Sequence, residues 1–153
     1  MLEDTQTDVE AEVMVRPMIV DVYAYHENGD VLFTHAWKHD GEPRRKKGPI
    51  KVPKDAPATP IHFKLHDKTN GLNLTFKSPK EEAMWVDLND CPTGKGNGGQ
   101  IDYDSVTNSV LKVTDANAGG ACVLHFALWF DGDPSDDGPP YQYDPEIRNG
   151  GHF

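Results

Sequence analysis

The sequence predicts an all-β protein: a single antiparallel β-sandwich of Greek-key or jelly-roll type, with about nine strands. Three observations predict it. Apolar and polar residues alternate with period two in several short stretches, most cleanly in Ile61-His-Phe-Lys-Leu-His66. Turn signals separate those stretches, above all Asn28-Gly29 and Asn70-Gly71. The 153 residues include 14 glycines and 12 prolines against a hydrophobic content of 37%, which suits a loop-rich β protein and argues against a helical bundle. A small closed barrel is the alternative arrangement.

The elements follow in order. Residues 1–12 are polar, acidic and without periodicity, and read as a tail. Residues 13–25 alternate: Met18, Val20, Val22 and Ala24 share one face, while Ile19, Asp21, Tyr23 and Tyr25 share the other. Asn28-Gly29 turns this strand into Val31–Trp37, with Val31, Phe33, His35 and Trp37 on one face. Residues 38–59 hold four prolines and a basic run, and read as a long surface loop. Ile61–His66 and Leu72–Phe76 are half-buried strands joined at Asn70-Gly71. Ser78-Pro-Lys-Glu-Glu82 suggests one helical turn with Ser78 as its cap and Pro79 at its first position. Met84–Leu88 is a short strand, and the Gly-rich stretch 91–99 is a loop. Gln100–Asp104 and Ser109–Thr114 add two strands. Residues 121–130 make an apolar central strand, and Tyr141–Tyr143 closes the set. The domain therefore spans 13–147, and 148–153 is a C-terminal tail.

Net charge is −10, and the acids gather near both ends. Glu3, Asp4, Asp8, Glu10 and Glu12 precede every Lys and Arg, and Asp131, Asp133, Asp136, Asp137, Asp144 and Glu146 precede Arg148. Such a surface repels nucleic acid and anionic lipid, so neither is an expected partner. Arg44-Arg-Lys-Lys47 is the one basic run, read either as a solvated loop or as a patch for a small anion or an acidic partner. Cys91 and Cys122 allow one disulfide or none. Cys122 sits in the apolar run, which favours free thiols. With no leader-like or membrane-length apolar segment, the expected compartment is the cytoplasm. Asn73-Leu-Thr75 matches a glycosylation sequon that such a compartment leaves unused.

Four constellations carry possible chemistry. Asp131, Asp133, Asp136 and Asp137 with two glycines supply the oxygens and the curl that calcium wants, although no EF-hand register is present. Asp87-Leu-Asn-Asp90 could join them if the fold brings the loops together. His62 and His66, like His35 and His39, are four apart, but on a strand that separates them by about 13 Å, too far to chelate one ion. His125 lies within the apolar run on a face with Ala121, Val123, Ala127 and Trp129, and Asp21 is placed comparably. If their strands are neighbours, the two form an acid–base pair, and that reading requires a concave pocket at His125. Lastly, Trp85 opposes Met84, Val86 and Leu88, and Trp129 opposes Phe126, Leu128 and Phe130. Both tryptophans then lie on an outer face, where with Tyr141 and Tyr143 they could bind a sugar or another protein. Nucleophile-elbow, phosphate-loop and zinc signatures are missing.

The run Phe126-Ala-Leu-Trp-Phe-Asp-Gly132, followed by Tyr141-Gln-Tyr-Asp-Pro-Glu-Ile147, resembles the end of the bacterial AidA/PixA inclusion-body proteins. Those close on an aromatic strand and then an aromatic-Asp-Pro-x-Ile tail. The resemblance covers only this end of the chain, which departs from the pattern in Asn149-Gly-Gly-His-Phe153. It implies a cytoplasmic β-sandwich and carries over no catalytic residue.

The expected function is non-catalytic: binding or self-association into a homo-oligomer, with no cofactor required. One alternative is a calcium-dependent carbohydrate-binding module using the 131–137 loop. The other is an acid–base enzyme centred on His125 with Asp21.

Overall fold

The computed structural model describes residues 16–53, 56–87, 101–117, 122–132 and 140–151. The elements are β1 (Met18–Glu27), β2 (Asp30–His39), β3 (Ile50–Pro53), β4 (Thr59–Lys68), β5 (Thr75–Phe76), α1 (Lys80–Ala83) and β6 (Met84–Asp87). After them come β7 (Ile101–Val106), β8 (Val110–Asp115), β9 (Cys122–Asp131), β10 (Tyr141–Tyr143) and β11 (Glu146–Gly151). They form two sheets packed face to face, so the all-β sandwich is the fold.

The first sheet, A, has the order β2-β1-β4-β8-β7. Asn28 and Gly29 both take positive φ, 54° and 85°, which is the backbone a two-residue β1–β2 turn requires. Its inner face is the predicted row: Met18, Val20, Val22 and Ala24 are fully buried, and Ile61, Phe63 and Leu65 continue it on β4.

The second sheet, B, is built on β9. Phe130 pairs with both Phe76 and Tyr141, Leu128 with Met84 and Tyr143, and His125 with Asp87 and Glu146. Thus β5 and β6 lie along one side of β9, interrupted by α1. β10 and β11 lie along the other, interrupted at Asp144-Pro145. β3 then pairs with β11 and forms the edge. Leu124, Phe126, Leu128 and Phe130 point from β9 into the core, all fully buried.

Several local expectations change. The 38–59 stretch is not all loop, because β3 lies inside it with Ile50 and Val52 buried. That strand also makes the sheets mixed: the chain leaves β2 for sheet B and returns beside β1, so β4 runs parallel to β1, and β3 parallel to β11. The 72–76 strand shortens to Thr75–Phe76. Asn73 is left-handed (φ 53°), and the Asp67 carboxylate takes the Leu74 N–H along with that of Thr69. Ser78 does not cap α1: Pro79 occupies that position and no side-chain bond caps the turn. β11 continues through Gly151, beyond the expected end of the domain at 147. The acidic segment 1–12 lies outside the described residues. No helix among the described residues is long and apolar enough to cross a membrane.

Candidate functional site

Three groupings carry functional chemistry. Two lie along sheet B and one on the outer face of sheet A.

On the outer face of sheet B, Val123, His125, Ala127 and Trp129 project from β9, because their neighbours in the strand fill the core. Trp85 stands opposite Ala127 across the β6 pairing. Its ring lies 4.8 Å from that of Trp129, tilted by 45°. Both rings are half-buried, and neither indole Nε1–H meets an acceptor among the described residues. Ala127 is fully buried beneath them, and Val123 is the exposed large hydrophobic among the described residues, at 36%. The central strand is therefore apolar on both faces. Tyr141 and Tyr143 do not join this platform. Their register opposite Phe130 and Leu128 turns them inward, where Tyr143 stacks on Phe33 at 5.6 Å.

The break between β10 and β11 opens a cleft of about 290 Å³, walled by His35, Gly48, His125, Asp144, Pro145 and Glu146. It meets the concavity expected at His125. His125 Nδ1 faces Glu146 Oε2 at 3.8 Å, beyond hydrogen-bond length. Arg148 holds the other Glu146 oxygen (Nη2 at 2.9 Å), and Gln142 Nε2 donates to Asp144 at 2.6 Å. The cleft's second histidine is locked. Gly48 O can only accept, so His35 Nε2 donates to it at 2.8 Å. Nδ1 of the neutral ring then accepts from the Tyr143 hydroxyl at 2.5 Å. Burial lowers the His35 pKa against the pull of the Gly48 carbonyl, and pushes the Tyr143 hydroxyl up to about 12. This pair is a neutral latch from β2 to β10, and His125 is the cleft's other histidine.

Asp21 is not His125's partner: the two residues are on different sheets. Strand β1 turns Asp21 outward from sheet A, while β9 lies in sheet B. The residue that does meet Asp21 is His66 on the neighbouring β4, whose Nε2 donates to Oδ1 at 2.7 Å. Arg45 Nε donates to Oδ2 at 2.6 Å, and Tyr23 stacks on the His66 ring at 4.8 Å. Burial alone would raise the Asp21 pKa. The bonds and charges of Arg45 and His66 outweigh it and hold the carboxyl below its ordinary value. His66 is thus hydrogen-bonded to a buried carboxylate rather than solvated at the surface.

Of the acidic loop, Asp131 is exposed and lies 3.6 Å from Lys77 Nζ, while Asp133, Asp136 and Asp137 lie outside the described residues. The backbone of Asp87 pairs with His125, six positions back along β9, or roughly 20 Å from Asp131. Asp90, the other acid of that group, lies outside the described residues. No set of three or more His, Cys, Asp or Glu among the described residues is placed to hold a metal ion. Cys122 is half-buried and free, with its thiol pushed up by burial, and Cys91 lies outside the described residues.

His35, Glu146 and His66 were missed as site residues. A histidine in register with Val31, Phe33 and Trp37 was the available signal for the first. No family model matches this chain, and no curated protein does.

Proposed function

We propose that this protein is a non-catalytic binding module that self-associates through the outer face of sheet B. One observation carries the reading. β9 presents Val123, Ala127 and Trp129, joined by Trp85, on the side away from the core, whereas a two-layer sandwich needs only one apolar face per sheet. Half-buried stacked tryptophans suit the centre of an interface, where aromatic anchors dominate binding. The free Cys122 thiol supports a reducing compartment such as the cytoplasm.

Light scattering across micromolar concentrations tests it. The wild type is expected to weigh more than 17.0 kDa, increasingly so as concentration rises. Val123→Glu on the exposed position is expected to restore the 17.0 kDa mass with its melting temperature nearly unchanged. A wild type that stays monomeric throughout sinks self-association. Tryptophan quenching by a panel of sugars would then give the platform to carbohydrate, and quenching that needs calcium would bring in Asp131 and its loop.

A second reading, acid–base chemistry at His125, is supported by the cleft that places it beside Glu146 and Asp144. Hydrolytic turnover on an ester and glycoside panel, lost in His125→Ala with the melt intact, is its expected result. No turnover on any of them removes it.

A further inference from the structure

The outer face of sheet A carries a row of basic side chains across its middle. Residues of β4 alternate between core and surface, and every outward position from 62 to 68 is basic: His62, Lys64, His66 and Lys68. Lys112 on β8 widens the row, because it stands opposite His62 in the β4–β8 register. Like charges so placed repel one another and weaken a sheet. Burial, and then the charges of Lys112 and Lys64, hold the His62 pKa below its ordinary value against the pull of Asp104 and Asp40.

The carboxylates nearest the row are already engaged. Asp21, beside Lys64 on β1, accepts from Arg45 and His66. Asp104 on β7 accepts from the Thr114 hydroxyl. Lys64, Lys68 and Lys112 are exposed, and none forms an ion pair among the described residues. Three lysines left unmatched on one face, in a chain of net charge −10, call for an acidic occupant.

Spacing and position select one. Alternate residues of a strand lie about 6.6 Å apart, so the row presents its charges at that interval. Residues 1–12 have no period as a whole, but their last three acids, Asp8, Glu10 and Glu12, fall on alternate positions between Val9, Ala11 and Val13. In an extended chain these carboxylates have the same interval as the row. The chain also enters sheet A at the right end: Met18 pairs with Ile61, next to His62. The six steps from Glu12 to Met18 span up to about 20 Å, enough to turn back over the face.

From these features we infer that the basic row docks an extended acidic peptide segment, and that its occupant is Asp8–Glu12 of the same chain. Each exposed ion pair is weak, but a short tether holds the segment at an effective concentration in the millimolar range, where a few weak pairs suffice. A free polyanion has no such tether and meets the repulsion of the whole chain.

The test treats an equal mixture of unlabelled and 15N-labelled full chain with a water-soluble carbodiimide, which condenses a carboxylate and a touching amine into an amide. Mass spectrometry of the digested protein locates each amide and tells links within one copy from links between copies. The expected result is amides from Asp8, Glu10 or Glu12 to Lys64, Lys68 or Lys112 within single copies. Their yield should fall at least fivefold in 1 M NaCl, where the screening length is about 3 Å. Lys64→Ser is expected to lower the yield at Lys112 about threefold, as losing one exposed pair of a set does. Lys64 is exposed, so a matched melt excludes misfolding as the cause. Amides formed only between labelled and unlabelled copies overturn the intramolecular contact and give the row to a second copy. An even spread over the chain's lysines, a yield indifferent to salt, or no amide at the row overturns the docking site itself.

Discussion

Phe126→Ala lowers the unfolding free energy by about 4 kcal/mol, the largest effect expected of a single substitution here. Phe126 is fully buried in the middle of β9, and its ring meets Phe63 of sheet A at 5.6 Å with a 53° tilt. It therefore joins the inner faces of both sheets. Removing it forfeits the transfer of the ring from water and leaves a void between two hydrogen-bonded layers that cannot collapse freely. β9 is flanked on both sides, by β6 at Val86 and by the backbone of Pro145, which limits relaxation further. In a domain of this size the loss corresponds to a fall in Tm of roughly 8–16 °C. Urea and thermal melts measure it. A loss below about 1 kcal/mol would mean that the two sheets do not pack closely at this layer.

Asp21→Ala comes next, at about 2 kcal/mol, and its signature is dependence on pH. The carboxylate is 2% exposed and holds two charge-assisted bonds. Arg45 and His66 are each half-exposed, so water takes over part of what they lose, which keeps the cost below that of breaking a fully buried pair. The sign follows from linkage. The folded-state pKa is lowered, so the unfolded chain binds more protons in acid. The stabilisation is complete above the ordinary Asp value of about 3.9 and disappears as the pH falls through the folded value. Wild type and Asp21→Ala should thus differ fully at pH 6 and converge toward pH 2. A constant difference across that range would show that the residue acts through packing rather than charge.

Much of the architecture is legible in the sequence because alternation reports which face a residue takes. The inward rows on β1, β4 and β9 and the outward tryptophans follow from period two, and the β1–β2 turn follows from Asn28-Gly29. Alternation does not report which strands are neighbours. His125 and Asp21 both face outward from apolar strands, yet only the strand order reveals that Asp21 belongs with His66. β3 escaped notice for a different reason. Ile50-Lys-Val-Pro53 is a four-residue strand beside a basic run and between prolines, so its composition reads as loop. Tyr141 and Tyr143 looked like surface aromatics because a three-residue strand is too short to declare its face. Their inward turn comes from register with Phe130 and Leu128. The His35–Tyr143 latch is likewise a tertiary fact, since its two residues come from different sheets.

The closing of sheet B has a consequence for how the chain folds. Among the described residues β3 finds its strand partner only in β11, roughly a hundred residues further along the chain, where Ile50 meets Ile147. β9 likewise lacks its β10 and β11 flank until residues 141–151 have been synthesised. Sheet A, by contrast, can begin with the β1–β2 hairpin. Pairings so distant in sequence place folding in the millisecond-to-second range typical of β-sandwiches. Synthesis at about 5–20 residues per second leaves the edge of β3 and one side of β9 uncovered for seconds. The protein is therefore most exposed to unwanted strand pairing while nascent, and a chain cut before Glu146 would keep that exposure permanently.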